Sequence, residues 1–311
     1  MQKVKGMQWK RKLAEGVRIG YGFTLCFIIL LLLARISFAQ SEPKVLRLGL
    51  IPAEDIEEMV RAFGPSKQFL EKELGIRIEE FKATDYTAVI EAMRSKKIDV
   101  AYFGPFSYVL AAKRANARAI IGGSEGDGKL ATYHSILITH RESGLKTMED
   151  VKAKAKRLTI SFVDPASTSG HLVPRGGLES LGIPVDKHFK EVIFAGGHDA
   201  SVLAVKARKV DLGATWEGGF QRVIDKGLAK IEEIQILWKS APIPRSPIAV
   251  RGDLDPSLVQ RIQQAFLDLP RKAPEAFKQF EGRWEKNKAY VKVNDSDYDY
   301  IRDLAIKLGK L

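Results

Sequence analysis

Two runs of alternating strand-like and helix-like segments, split by a glycine-rich break, constrain this chain more than any other feature. In the first run, residues 45–51 alternate as a strand and a helix-like stretch continues to Leu74, where Gly75 stops it. Strand 76–81, helix 85–94, strand 98–103, helix 105–114 and strand 118–121 follow. Residues 122–128 interrupt the pattern, and 132–139 read as a long apolar strand. The second run places helices at 147–155, 170–181, 199–207 and 218–227, between strands at 158–163, 191–195, 210–216 and 233–238. Strands spaced by helices of this length predict βαβ units and two mixed, mainly parallel sheets, hence an α/β protein with two lobes. Residues 256–311 read as helices with no sheet of their own, so they need a core in the first lobe. The chain is therefore expected to cross twice between lobes, near 132–140 and near 240–248, where the two crossovers form a hinge. Lobe 1 is then residues 40–133 with 247–311, and lobe 2 is residues 134–246.

Residues 1–39 read as a signal peptide. Lys3, Lys5, Lys10, Arg11, Lys12 and Arg18 form a basic start, residues 19–33 are nearly all apolar, and Ser37-Phe38-Ala39 precedes Gln40 with small residues at −3 and −1. The apolar run falls short of the roughly 20 residues of a membrane span. Export to the periplasm or another extracytoplasmic space, with cleavage near Ala39–Gln40, is the expectation; retention of 19–33 as an anchor is the alternative. Seven basic residues and one acid of the +12 chain lie in this segment, so half of the surplus stays with the remainder and mildly favours anionic ligands. Cys26, the only cysteine, sits in the apolar run, which excludes disulfides, thiol catalysis and cysteine metal sites from the exported part.

Ligands of open α/β sheets bind beyond the carboxyl ends of the strands, and the candidates collect there. Ser167-Thr168-Ser169 follows the turn Asp164-Pro165 and opens a helix. One hydroxyl can cap that helix while the others, with the free N–H groups of the first turn, aim donors at one anion. Capping alone is the plainer reading of the triplet. The other candidates are Tyr86 after Thr84-Asp85, Tyr102 before Phe103-Gly104-Pro105, Tyr133 at the first crossover, His198 after Gly196-Gly197, and Glu217 after Trp216. Asp85 and Asp199 read as helix caps, and His171 as a residue on the packing side of its helix. No GxSxG, HExxH, GxGxxG or phosphate-loop motif occurs, and the five histidines lack paired spacing, so no catalytic set, metal site or cofactor is expected.

Several stretches together carry a specific resemblance: ATDYTAVIEAM (83–93), IDVAYFGPFSYVLA (98–111), TYHSIL (132–137), SFVDPASTSGHLVP (161–174), FAGGHDASVLAV (194–205) and the passage before IAVRGDL (248–254). The chain resembles the substrate-binding proteins of phosphate, phosphite and phosphonate ABC importers. That resemblance implies a type II, Venus-flytrap receptor that is a monomer, not an enzyme, with a phosphorus oxyanion as ligand, an ABC permease as partner and no nucleic acid. It also implies phenol donors from Tyr86 and Tyr133, oxyanion contacts from Ser167, Thr168, Ser169 and His198, and Glu217 as an acid beside the ligand's substituent. Where the family often carries an Asp that meets a ligand ammonium, this chain has Pro244-Arg245-Ser246-Pro247. Arg245 and Ser246 are therefore candidates for selectivity against aminoalkyl phosphonates, with Arg245 either opposing the ammonium, pairing with Glu217 or facing solvent. A membrane-anchored receptor for a sensor or chemotaxis system and a phosphoester hydrolase are the competing readings.

Overall fold

The computed structural model describes residues 43–282 and 287–311; the signal-peptide expectation, its anchor alternative and Cys26 lie outside them. A six-stranded sheet is ordered β13-β4-β12-β3-β1-β2, built from β1 (Val45–Leu50), β2 (Arg77–Lys82), β3 (Val100–Tyr102), β4 (Ala117–Ser124), β12 (Pro247–Arg251) and β13 (Ala289–Lys292). A five-stranded sheet is ordered β10-β6-β9-β7-β8, from β6 (Ser135–His140), β7 (Thr159–Phe162), β8 (Glu191–Phe194), β9 (Leu212–Trp216) and β10 (Ile234–Lys239). Between them, β5 (Thr132–Tyr133) and β11 (Ile243–Pro244) pair as a short antiparallel ribbon, Tyr133 opposite Ile243 and Thr132 opposite Pro244. Both passages between the sheets run through this ribbon.

The sheets are mixed but not mainly parallel. Among the described residues, β1 pairs in parallel with β2 and β3, and β7 with β8 and β9, while the five other pairings within these two sheets are antiparallel. The cause is the double crossing. The returning strand β12 inserts between β3 and β4, and the entering strand β6 lies against β9, each against the direction of the βαβ units. β13 corrects the expectation of a purely helical tail: it adds four residues to the edge at β4.

The helices of the first lobe are α1 (Ile56–Leu74), α2 (Tyr86–Arg94) and α3 (Pro105–Ala115). Those of the second are α4 (Met148–Lys154), α5 (Val173–Ser180), α6 (Val185–His188), α7 (His198–Lys206) and α8 (Glu217–Asp225); α9 (Pro256–Lys272), α10 (Pro274–Phe277) and α11 (Asp299–Lys307) return to the first. Local signals set their ends. The Asp55 carboxylate accepts from the Glu58 amide at the start of α1, Gly75 ends it at φ 68°, and Asp85 caps α2 by accepting from the Ala88 amide at 2.8 and 2.7 Å respectively for the two caps. α9 and α1 pack Phe266, Leu269, Met59 and Phe63 into the first-lobe core, which gives the tail its burial. The second sheet is covered on both faces, by a cluster around Leu137, Phe162 and Leu178 and another around Ile138, Val202 and Val223. Among the described residues no helix is long and apolar enough to cross a membrane.

Candidate functional site

The segment after β7 does not enter a helix directly at Gly170. Residues Thr168–Leu172 form one wide π turn, and the α-helix begins only at Val173. The turn is pinned at both ends: the Val163 amide donates to the Gly170 carbonyl at 2.9 Å, and the Leu172 amide to the Ser167 carbonyl at 3.0 Å. Ser167 does cap, since its Oγ accepts from the Gly170 amide at 3.1 Å. As at any helix start, the first N–H groups have no partner within the turn.

Thr168 does something the sequence did not indicate. Its Oγ1 accepts from the Phe106 amide at 2.8 Å and so caps α3 of the other lobe, whose own N-cap, Gly104, has no side chain to do it. A Cβ at Gly104 would stand 3.3 Å from that hydroxyl, so glycine allows the approach. The same exchange recurs nearby. Asp164 accepts from the Tyr86 amide at the start of α2 at 3.3 Å. In the opposite direction, the Ala53 carbonyl and the Glu54 carboxylate take the amides of His198 and Asp199 at the start of α7, at 2.9 and 3.2 Å. Each lobe thus caps helices of the other, and the starts of α2, α3, α7 and the π turn converge on one place.

A small cavity of about 40 Å³ occupies it, room for roughly three waters. Tyr86, Tyr102, Tyr133, Ser167, Thr168, Ser169, His198 and Ser246 all line it, joined by Glu54, Trp216 and Arg222. Of the eleven, all are buried apart from Ser246, which is half-buried. Helix starts and hydroxyls around a buried pocket favour negative charge. The His198 ring is held neutral, its pKa pushed down to about 3 by burial and by Arg222, and Nδ1 meets the Thr215 hydroxyl at 3.1 Å. Burial, reinforced by Asp164 and Glu54, raises the Tyr86 phenol, which keeps it a donor.

Two expected residues lie elsewhere. Glu217, first in α8, turns its carboxylate away from the cavity lining to an ion pair with Lys239 on β10 at 2.8 Å. Arg245 neither pairs with Glu217 nor faces solvent: it is buried, with its guanidinium 5.6 Å above the Tyr133 ring and 5.7 Å from the Trp216 ring. Those rings meet edge to face at 5.7 Å, so Arg245 backs the aromatic wall without lining the cavity. The expectation that Asp199 caps α7 also changes, because Gly197 holds the cap position and Asp199 accepts from the Ala200 amide. His171 packs as read, buried between Phe162 and Phe194 with Nδ1 on the Pro165 carbonyl at 2.8 Å.

The residue missed is Glu54. It comes from the loop after β1 and is gripped by three donors of the second lobe: the Arg222 guanidinium, the Trp216 indole N–H at 3.4 Å and the Asp199 amide. Burial pushes its carboxyl up to about 7 against the pull of Arg222. Gly218 and Gly219 make room for this arrangement, since a Cβ at either would strike the Trp216 ring. Among the described residues no group of three or more His, Cys, Asp or Glu is placed to hold a metal ion.

The family profile described as "ABC transporter, phosphonate, periplasmic substrate-binding protein" matches residues 48–298. The phosphonates-binding periplasmic protein of Escherichia coli K12 is 32% identical over 246 residues, 79% of this chain and 72% of that protein. The phosphate-import protein PhnD of Mycolicibacterium smegmatis is 32% identical over 288 residues, 87% of this chain and 88% of that one. Among solved structures, a binding protein component of an ABC phosphonate transporter from Pseudomonas aeruginosa superposes with a TM-score of 0.77 at 27% identity, covering 86% of each chain. PhnD1 of Prochlorococcus marinus, in complex with methylphosphonate, shares the fold at a TM-score of 0.76 and 24% identity, over 87% of this chain and all of that one. This chain belongs to the family of periplasmic substrate-binding proteins of phosphonate ABC transporters.

Proposed function

We propose that this protein captures a small phosphorus oxyanion, whether phosphonate, phosphite or phosphate, outside the cytoplasmic membrane and delivers it to an ABC permease. The observation that carries this reading is the set of helix starts from both lobes converging, with their hydroxyl residues, on one small buried cavity. Tyr86, Tyr102, Tyr133 and Ser246 present polar groups from the first lobe and the ribbon side; Ser167, Thr168, Ser169 and His198 face them from the second. Thr168 illustrates the chemistry. Its oxygen already accepts from Phe106, which leaves the hydroxyl hydrogen to donate to an anion. With Nδ1 on Thr215, His198 keeps Nε2 for the ligand. The relatives named for phosphonates and for phosphate set the ligand class, and the cavity's size favours its compact members.

The chemistry of a hydrolase finds no support in the side chains. The Ser167 hydroxyl is engaged by the Gly170 amide and His198 Nδ1 by the Thr215 hydroxyl, so these two do not form a nucleophile–base pair with each other. In this reading the protein is a monomeric binding protein, exported with cleavage after Ala39, and the ribbon of β5 and β11 is its hinge. Mass spectrometry of the extracytoplasmic protein should find an N-terminus near Gln40; an intact Met1 terminus there would reject the cleaved form.

Calorimetry with phosphite, phosphate, methylphosphonate and 2-aminoethylphosphonate tests the function. At least one should bind, and saturation should lower the radius of gyration in solution scattering as the lobes close on the ribbon. Ser167→Ala and Thr168→Ala each remove a hydrogen bond to a charged group, worth about 1.5–3 kcal/mol, or roughly ten- to a hundredfold in affinity. Wild-type affinity in both variants for every phosphorus oxyanion would place the ligand elsewhere.

A further inference from the structure

Arg222 is the one residue lining the cavity, among those described, that carries a fixed positive charge, and a site for dianions would gain from leaving it open. Instead Glu54 reaches across from the other lobe and neutralises it. The pair is well buried, with side-chain exposures of 9% for Arg222 and 4% for Glu54. It is also one rung of a ladder. Four residues further along both segments, Lys226 pairs with Glu58, again across the lobes. So the cavity closes with its cation paired, and Arg222 gives no anion an advantage over another.

The Glu54 carboxylate also has unused capacity. Oε1 accepts from Arg222 and from the Trp216 indole, whereas Oε2, among the described residues, accepts only the Asp199 amide. A carboxylate offers about four acceptor sites, two on each oxygen, so Oε2 keeps one on the cavity wall. A ligand that carries an O–H fills it. A ligand with bare oxygens places lone pairs against it. We propose that Glu54 is the specificity-determining acid of this site, cancelling Arg222 and accepting a hydrogen bond from a proton on the bound oxyanion. Singly protonated phosphate, phosphite or alkylphosphonate satisfies it, while sulfate, which has no proton at neutral pH, is refused. This rests on the function proposed above and makes Glu54 the acid beside the ligand in place of Glu217, whose carboxylate is spent on Lys239.

The titratable surroundings fit a proton held between ligand and carboxylate. Facing Glu54 are Arg222, which favours its charged form, and Asp199, which opposes it. Tyr86 and His198 stay neutral, and burial has already moved the acid up to about 7.

The test is Glu54→Gln, which keeps the shape and frees the Arg222 charge, measured by calorimetry with the whole exported chain. Circular dichroism and thermal melting first establish that the variant folds. Wild type should bind phosphite or methylphosphonate, whose prevailing dianions at pH 8 carry no O–H, with net proton uptake, read from heats in two buffers of different ionisation enthalpy; phosphate, already singly protonated there, should bind without it, and sulfate should not bind. In Glu54→Gln the proton uptake should disappear and sulfate should bind, moving the ratio of sulfate to phosphorus-oxyanion affinity by at least about tenfold. If wild type and variant show the same selectivity and the same proton count, the inference is overturned while the proposed function stands. If wild type prefers 2-aminoethylphosphonate and the variant loses it, Glu54 reads an ammonium and the inference is likewise overturned. If wild type binds none of these ligands, the proposed function falls first. For a variant that does not fold, Arg222→Gln serves as the second probe: losing the cation while Glu54 stays should weaken every anion and leave sulfate excluded, and sulfate binding there would refute the assignment.

Discussion

Gly170→Ala should lower the affinity for any phosphorus oxyanion more than the loss of a single cradle hydroxyl does, by over a hundredfold, and destabilise the fold by about 3 kcal/mol, the upper end for overpacking a core. An added methyl group would lie inside van der Waals contact of the Val163 side chain and 2.8 Å from Ser167 Oγ. Neither neighbour can retreat easily. Val163 is fully buried in the core cluster that runs beneath the site, and its amide is bonded to the Gly170 carbonyl. Ser167 holds the turn through the Gly170 amide and the Leu172 amide. Relief must come from moving the π turn as a unit, and that displaces Ser167, Thr168 and Ser169 together while breaking the Thr168 cap on α3. Gly104→Ala is the graded comparison: its methyl group would come no closer than 3.3 Å, to Thr168 Oγ1, with Ser107 and Ile51 at ordinary contact, and should cost a fraction as much. Urea denaturation and calorimetry on both variants check the order. Equal and small losses would mean the turn is soft and not a preformed cradle.

The contrast between Ser167–Ser169 and Glu54 explains how much of the site was legible in the sequence. The hydroxyl triplet stood out because strand, turn and cap are all local patterns within some ten residues. Tyr86, Tyr102 and His198 were legible for the same reason, each lying where a strand hands over to a helix. Glu54 was not. Beside Asp55 it reads as one more acid ahead of a helix, and its meaning comes from Arg222, 168 residues away in the other lobe. Thr168 as a cap for α3 has the same origin, its partner being 62 residues distant. Glu217 misled because position at a helix start does not fix where a carboxylate points; Lys239, on β10 two strands away from β9, takes it. Arg245 misled because its proline-rich surroundings suggested surface, whereas the ribbon buries it against Tyr133 and Trp216. In the fold, the direction of the βαβ strands was readable, but the insertion of β12 and the edge strand β13 depend on where a distant segment docks, which periodicity does not encode.

Acidification should destabilise this protein modestly, and Glu54→Gln should make the loss about twice as large. Burial lowers His198 to about 3 and His171 to about 4, from an ordinary 6.5. For both, the unfolded chain takes up the proton first, so their contribution to stability is present above pH 6.5 and falls as pH drops towards the folded values. At pH 5 that loss is about 2 kcal/mol for each histidine, roughly 4 together. Glu54 works in the opposite sense. Its folded pKa, about 7, lies above its ordinary 4.5, so the folded state takes up the proton first and gains stability as pH falls through that interval. Between pH 7.5 and 5 the gain is roughly 2.4 kcal/mol. Asp164, also raised by burial, acts in the same direction as Glu54. The surface aspartates held low by their hydrogen bonds, Asp127, Asp150 and Asp255 among them, lose that support only below about pH 4, outside the interval. The histidines therefore win, by about 2 kcal/mol in the wild type and about 4 once the opposing acid is gone. Freeing Arg222 in the variant lowers stability at both pH values alike, so the difference between them isolates the titration. Urea denaturation at pH 7.5 and pH 5.0 without ligand measures it, and an equal pH dependence in the two proteins would show that Glu54 does not take up a proton in the folded state.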